Sequence, residues 1–451
     1  MKNLFIPIEI FNRDFHSRMM IGIEALKKNF NVFIGRKSNI NQLALKEKPG
    51  IYLGLVTVEN HCELYKKLKL YGHRIVVLDE EGLVTFSKKM YLDLKVSNNT
   101  LQNIDSLFVC GKENKDLLIK KKNSEFNNKN IFITGNPRFD LFRNPYSKIF
   151  DPEVDIITKK YNKFILINTS FSFADHYIDN LDYKSELQKQ KVLNNKEDIK
   201  KFITYLNIVK KTKILFIETI KKLSIIYPSF NIVIRPHPSE NHKKYHNLCK
   251  NFKNVFLDMR FSIQPWIKSC SFLIHSYCTT PAEALCVAKK SFCLINRIDP
   301  TVHKKIPFIF NNVSFSTNEI LNKIKIHFLN NKIKINNQDS MKYFIKNFGS
   351  KKLSSEIIVD IINKIKTNKY FYKNTSKENI FFSIIKNFIN YFSIKNRSRK
   401  DYLEHKVPII DIQVIKNIMN VFLDNKTDSK KYHINKIDKY TFSIKKNTIK
   451  L

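Results

Sequence analysis

Phe272-Leu-Ile-His-Ser276-Tyr-Cys-Thr279-Thr280-Pro281-Ala-Glu283-Ala284 sets an apolar strand, a hydroxyl-rich loop and a helix start in one short stretch. Thr280 fits the N-cap and Pro281 the first helical position, where its missing N–H leaves no bond unmade. Glu283 then completes a T-x-x-E capping box. The box accounts for Thr280 and Glu283, and it leaves Ser276 and Thr279 over. A helix N-terminus ringed by hydroxyls also attracts an anion. Strand, loop and helix in this order form the repeating unit of a parallel α/β sheet, whose ligands gather at the carboxyl ends of the strands.

The same alternation extends in both directions from this stretch. The pattern predicts strands over 164–168, 231–234 and 291–296, a long amphipathic helix over 200–226 and a helix over 281–288. Before residue 140, strands are predicted over 4–10, 31–35, 51–55, 74–78, 106–110 and 130–134, with a helix over 15–30 carried by Met19, Met20, Ile23, Leu26 and Phe30. Residues 143–155 hold two prolines and little regular pattern, as a linker does. The expected fold class is α/β, with two Rossmann-like doubly wound domains, residues 1–142 and 161–365, joined by a linker over 143–160. A Lys/Asn-rich helical basic tail follows over 366–451, in which Ile380, Phe381, Ile384, Ile385, Phe388, Tyr391 and Phe392 recur at helical spacing beside basic residues. Such a helix either lies on an anionic membrane surface or packs back on the core. No internal repeat of short period is present.

Other candidate site residues stand where this fold puts ligands. Arg235-Pro-His237-Pro-Ser-Glu240 follows an apolar strand directly; its prolines stiffen the loop, and Arg235 and His237 offer donors to a phosphate, the alternative being a plain surface turn. Asn168 and Thr169, with Ser170, end the first strand of the second half and add amide and hydroxyl groups. Leu78-Asp79-Glu80-Glu81-Gly82 ends a strand of the first half. A carboxylate there can serve as general base, Glu81 first and Asp79 next; the alternative is a solvated acidic turn closed by Gly82. In Thr134-Gly-Asn-Pro-Arg138-Phe-Asp140, Arg138 and Asp140 either pair with each other or face the cleft. His16, beside Arg13 and Asp14, is a weaker candidate that reads more readily as structural.

Composition bounds the partners. A formal net charge of +39 on 451 residues suggests a polyanion partner. Lysine, however, greatly outnumbers the arginine favoured for base reading and phosphate clamping, so no specific nucleic acid is expected. The basic surface suits anionic lipid or an anionic glycan better. The seven cysteines form no C-x-x-C pair and sit mostly in apolar runs, as thiols do in a reducing compartment. No signal peptide and no apolar run of about 18 residues is found, so a cytoplasmic protein is expected, with peripheral contact to the inner membrane face as an option. G-x-G-x-x-G, G-K-[ST], H-E-x-x-H and a suitably placed D-x-D motif are missing. Metal-independent chemistry without a cofactor follows as the expectation, with protein donors neutralising a leaving phosphate.

Six segments together resemble a bacterial family usually called surface carbohydrate biosynthesis proteins. They are Asn12-Arg-Asp-Phe15, Val32-Phe-Ile-Gly35, Asp79-Glu-Glu-Gly82, Thr134-Gly-Asn-Pro-Arg-Phe-Asp140, Arg235-Pro-His-Pro-Ser-Glu240 and Ile274-His-Ser-Tyr-Cys-Thr-Thr-Pro-Ala-Glu-Ala284. Their order covers roughly residues 1–300. The second half also looks like GT-B transferases that use CMP- or CDP-linked donors, including Kdo, sialic acid and glycerol-phosphate transferases. The resemblance implies a GT-B glycosyltransferase acting on a glycan or glycolipid acceptor, with the acceptor on the first half and the nucleotide-sugar on the second. It implies that His237 and Thr279 or Thr280 meet the nucleotide phosphates and that Glu283 approaches the ribose. The long tail and the glycine count of nine depart from the pattern. Two rivals stand beside this reading: a non-hydrolysing sugar-nucleotide epimerase of the same architecture, and a non-catalytic scaffold that binds polysaccharide or membrane.

Overall fold

The computed structural model describes residues 1–80, 82–83, 88–120, 130–176, 182–189, 193, 195–237, 239–303, 306–309, 312–330, 338–348, 350–367, 406–423 and 429–447. Its first sheet contains six parallel strands: β1 (Lys2–Ile8), β2 (Phe30–Arg36), β3 (Gly50–Gly54), β4 (Arg74–Leu78), β5 (Ser106–Val109) and β6 (Ile131–Ile133). The second contains β7 (Phe164–Asn168), β8 (Asn231–Arg235), β9 (Val255–Leu257), β10 (Phe272–His275), β11 (Ser291–Leu294) and β12 (Asn312–Ser314). Its order is β12-β11-β10-β7-β8-β9, so the winding reverses between β7 and β10. In the first sheet the parallel order β2-β1-β3-β4-β5-β6 reverses between β1 and β3. These reversals open the crevices in which doubly wound folds hold ligands.

Alternate side chains of each strand feed separate cores on the two faces of its sheet. Leu4, Ile6, Val32, Ile34, Ile51, Leu53, Val76 and Leu78 enter one cluster. Phe5, Phe33, Tyr52, Ile75, Val77, Leu107 and Val109 enter the opposite one. The second sheet divides in the same way, with Ile165, Ile167, Ile232, Ile234 and Ile274 on one face and Phe164, Leu166, Val233 and Leu273 on the other. Both domains are therefore sheets covered by helices on both sides, two Rossmann-like units in a GT-B-like arrangement. The edge strands β9 and β12 have three residues each and carry too little apolar pattern to be read from sequence.

Three features differ from the sequence expectation. Residues 143–155, expected to lack regular structure, are largely helical: a 3₁₀ turn spans Tyr146–Phe150 and an α-helix spans Asp151–Tyr161. Pro152 sits in the first turn of that helix, where proline is tolerated. The helix after β10 is Thr280–Leu285, shorter than expected, with Thr279 at the N-cap in place of Thr280. The tail is helical in part only. Ile412–Phe422 is an amphipathic helix whose Ile415, Ile418, Met419 and Phe422 join the first domain's core. After it, β13 (Tyr432–Asp438) and β14 (Thr441–Lys446) form a hairpin, and β14 adds antiparallel to β2. Gly35 permits this addition, because a Cβ there would run into the Tyr440 carbonyl and Thr441. The amphipathic pattern over 380–392 lies outside the described residues. Among the described residues no helix is long and apolar enough to cross a membrane.

The chain also returns to the first domain earlier. Helix Ser354–Lys364 packs on helix Phe11–Lys27 through Ile358, Val359 and Ile362. Just before it, Asn347 accepts the Asn136 N–H at 3.2 Å and donates to the Asn136 carbonyl at 3.1 Å. The Asp140 carboxylate accepts the Ser354 N–H at 2.7 Å and pairs with Arg143 at 3.2 Å. Asp140 is thus spoken for by the returning segment, which leaves Arg138 to face elsewhere.

Candidate functional site

The carboxyl ends of β7, β8 and β10 converge through their loops. Asn168 Nδ2 donates to Thr280 Oγ1 at 3.2 Å, and the hydroxyls of Ser170 and Ser276 meet at 2.9 Å. Between the β7 and β8 loops lies Glu240, which is fully buried. Its carboxylate accepts the Thr169 hydroxyl at 2.9 and 2.8 Å, the Phe171 N–H at 2.7 Å, the His237 N–H at 3.2 Å and the Tyr245 hydroxyl at 2.8 Å. Burial raises its pKa, and these hydrogen bonds oppose the shift. Glu240 therefore ties the Arg235–Glu240 loop to the Asn168–Ser170 loop. The sequence shows it only as the last letter of a motif, since nothing local reveals partners from two other elements.

Arg235 is held by its bond to the Phe261 carbonyl at 2.7 Å, while its Nε is buried without a hydrogen-bond partner. Burial lowers its pKa to about 10, with Glu283 and Asp258 opposing. His237 opens to the cleft. The surrounding protein, together with Arg13, His176 and Arg235, lowers its pKa to about 4, which leaves the imidazole neutral at pH 7. Its Nδ1 accepts the Ser239 N–H at 3.2 Å, which assigns the ring proton to Nε2 and makes that atom a donor.

The first domain faces these loops. Arg138 is the second residue of the four-residue helix Pro137–Asp140, whose N-cap Asn136 accepts the Arg138 N–H at 2.9 Å. Arg138 Nε lies 2.9 Å from Glu283 Oε1, so the pair bridges the two domains. The angle is poor for a hydrogen bond: Arg138 Nε and Nη2 and Glu283 Oε1 are all buried without an aligned partner. With Thr279 at the N-cap, Glu283 stands one residue past the capping-box position, and the helix after β10 has no side-chain cap. Its carboxyl points across the cleft instead. Burial raises the Glu283 pKa, with Arg138 and Arg235 opposing.

Beside Arg138, Glu80 accepts from Arg18 Nη2 at 3.1 Å and lies 4.0 Å from Arg13 Nε. Its side chain is 8% exposed. Burial raises its pKa, Asp14 adds to the rise, and Arg18, Arg13 and Arg138 oppose it. Arg18 is fully buried within helix Phe11–Lys27 and also donates to the Leu53 carbonyl at 3.2 Å. An arginine on an apolar helix face gives no sign in sequence that it is buried and paired.

The expected site residues thus fall into separate places. Asn168, Thr169, Arg235, His237, Ser276, Thr280 and Glu283 line connected loops of the second domain, with Thr279 at the N-cap beside them, and Arg138 reaches them from the first. Asp79 accepts the Gly82 N–H at 3.1 Å and the Tyr91 hydroxyl, so it holds the turn after β4. Glu81 lies outside the described residues.

His16 packs against the rings of Phe11, Phe15 and Phe150, and burial lowers its pKa to about 4; burial does the same to His303 against weaker opposition from Asp299. Both are neutral at pH 7 whether folded or unfolded. Below pH 6.5 the unfolded imidazoles take up protons that the folded ones refuse until about pH 4. The stability they contribute is therefore present above pH 6.5 and is lost as pH falls through that window, by about 1–3 kcal/mol each. Urea unfolding at stepped pH should show this loss, and His16→Phe should remove its own share. A profile flat from pH 6.5 to 4 would contradict the burial assignment.

No protein-family model matches this chain, and no curated protein matches it. Among solved structures it is similar to UDP-GlcNAc 2-epimerase from Neisseria meningitidis bound to UDP-GlcNAc, at 15% identity and TM-score 0.50, over 81% of this chain and 100% of that one. It is similar in the same way to Methanocaldococcus jannaschii UDP-GlcNAc 2-epimerase in complex with UDP-GlcNAc and UDP, at 16% identity and TM-score 0.50, over 80% and 99%. The wall teichoic acid polymerase TagF also aligns, at 12% identity and TM-score 0.47, over 80% of this chain and 88% of that one. At 15% and 16% identity the likeness to the two epimerases shows the fold alone.

Proposed function

We propose that this protein is a glycosyltransferase that takes a sugar from a nucleotide-activated donor, binding the nucleotide on the second domain and the acceptor on the first. The carrying observation is the cross-domain cleft, where Arg235, His237 and the Ser170–Ser276 hydroxyls of one domain face Arg13, Glu80 and Arg138 of the other. Donors converging from both domains suit a leaving phosphate, which they stabilise as its charge develops. His237, neutral and carrying its proton on Nε2, donates to a phosphate oxygen. Arg138 and Arg235 supply the positive charge, so the proposed reaction runs without a metal ion or cofactor. Glu80, with its raised pKa, accepts the proton of the acceptor hydroxyl as the new glycosidic bond forms and the sugar–phosphate bond breaks. Surface polysaccharide or glycolipid is the proposed acceptor class, and the cytoplasm, where nucleotide-sugars are made, the proposed location.

A thermal-shift screen against CMP, CDP, UDP, GDP and their sugar conjugates tests the reading. A ligand at a hundredfold over its Kd should add about 2.7 kcal/mol of stability. The shift should appear with one nucleotide and shrink in His237→Ala. A folded sample that responds to none would remove the nucleotide-sugar reading.

The epimerase reading draws on the same cleft, and two solved structures similar to this chain at TM-score 0.50 are UDP-GlcNAc 2-epimerases. An epimerase would rework the donor with no acceptor present. Incubating the responding nucleotide-sugar alone and following it by proton NMR separates the two: a second stereoisomer identifies an epimerase, whereas a transferase leaves the configuration unchanged.

A further inference from the structure

Four buried polar atoms at the domain boundary lack aligned partners: Arg138 Nε and Nη2, Arg235 Nε and Glu283 Oε1. They belong to one place. Arg138 meets Glu283 at 2.9 Å, and Arg235 acts on the same carboxylate through space. Arg138 is 9% exposed and Glu283 2%. Buried guanidinium groups ordinarily complete their hydrogen bonds, and a misaligned pair among them marks a place where other acceptors fit better. Two guanidiniums approaching from opposite domains present more donors than one carboxylate accepts. A phosphate group has the oxygens to engage both.

We propose that Arg138 and Arg235 form a two-sided seat for a phosphate group of the substrate, and that Glu283 is a built-in counter-charge which exchanges its place on Arg138 for that phosphate. The proposal rests on the nucleotide-sugar reading and deepens it. It gives Glu283 a role different from contact with a ribose, which the sequence resemblance implies. Because one cation comes from each domain, phosphate binding also selects the relative placement of the domains that brings Glu80 to the acceptor.

Isothermal titration of the full chain with inorganic pyrophosphate, and separately with CDP and UDP, tests the exchange. Glu283→Gln removes the competing carboxylate and should tighten pyrophosphate binding about tenfold, whereas Arg138→Met should weaken it about tenfold. A Glu283→Gln variant that binds more weakly than the parent, or equally, overturns the exchange. Should either single variant fail to fold with an unpaired buried charge, Arg138→Met/Glu283→Gln removes both partners together. Its two tenfold effects offset, so it should bind pyrophosphate near the parental affinity, and adding Arg235→Met should then weaken binding about tenfold; no weakening on that step overturns the seat. Pyrophosphate binding with this pattern, but no response to a nucleotide, keeps the seat and removes the nucleotide reading. Nucleotide binding that none of these variants changes keeps that reading and overturns the seat. If neither pyrophosphate nor nucleotide binds the parent protein, both are overturned.

Discussion

Glu80→Gln is expected to lower kcat by about 10²–10⁴-fold while leaving the affinity for nucleotide within about twofold. The substitution keeps the shape of the side chain and its contact with Arg18, which the parent makes at 3.1 Å. It removes the basic carboxylate at the cleft. A role confined to neutralising Arg18 would instead show as lowered stability with kcat retained, because the fully buried guanidinium would lose its counter-charge. The pH profile gives a second readout. Burial raises the pKa of Glu80 above the ordinary 4.5, so the acid limb of kcat/KM should lie above that value and activity should fall as pH drops through it. Glu81→Gln, made in parallel, addresses the carboxylate that sequence placed first. Full turnover in Glu80→Gln with loss in Glu81→Gln would move the base by one residue, and full turnover in both would remove this turn from the chemistry.

Glu240→Ala should destabilise the protein by about 3–5 kcal/mol and weaken nucleotide binding at the same time. The carboxylate satisfies donors from Thr169, Phe171, His237 and Tyr245, so truncation strands several buried groups at once. Tyr245→Phe removes a single one of those bonds and should cost about 1 kcal/mol. Chemical unfolding measures both. If Glu240→Ala costs no more than Tyr245→Phe, water reaches the network and the two loops are not tied together through it. The coupling to binding follows from geometry: the same carboxylate accepts the His237 N–H and the Thr169 hydroxyl, so releasing it frees both ligand-facing loops. Glu240→Gln, which keeps acceptor capacity but adds a donor among donors, should fall between the two.

Much of the architecture was legible because it depends on local pattern. Short apolar runs bounded by turn residues located the strands 74–78 and 164–168 with their observed bounds, and the long helix ending at Ile226 followed from its periodicity. The loops after β7, β8 and β10 were legible as ligand-bearing because a parallel sheet puts its ligands at strand ends. Residues 143–155 were misread because their prolines suggested a break, while Pro152 stands at the helix start where it does no harm. The hairpin at the end of the chain was missed for a different reason. Its strands take their place from β2, more than 390 residues earlier in the chain (Thr441 faces Gly35, for example), and no local pattern encodes that partner.

The capping box shows where local inference stops. Thr280, Pro281 and Glu283 have the residue types and spacing of a helix start, and a helix does start there. Yet the N-cap is Thr279, one residue earlier than the box needs, and Glu283 meets a guanidinium from the other domain at 2.9 Å. A charge buried at 2% exposure is governed by the nearest opposite charge, whatever its distance along the sequence. The amino-acid sequence by itself determined the two doubly wound domains and the loops that end their strands, since hydrophobic period and turn chemistry act between near neighbours. Only the tertiary structure decided which polar side chains meet: Arg138 with Glu283, Arg18 with Glu80, and Glu240 with the donors of two loops. Burial and charge pairing act through space, and the fold must form before those residues become neighbours.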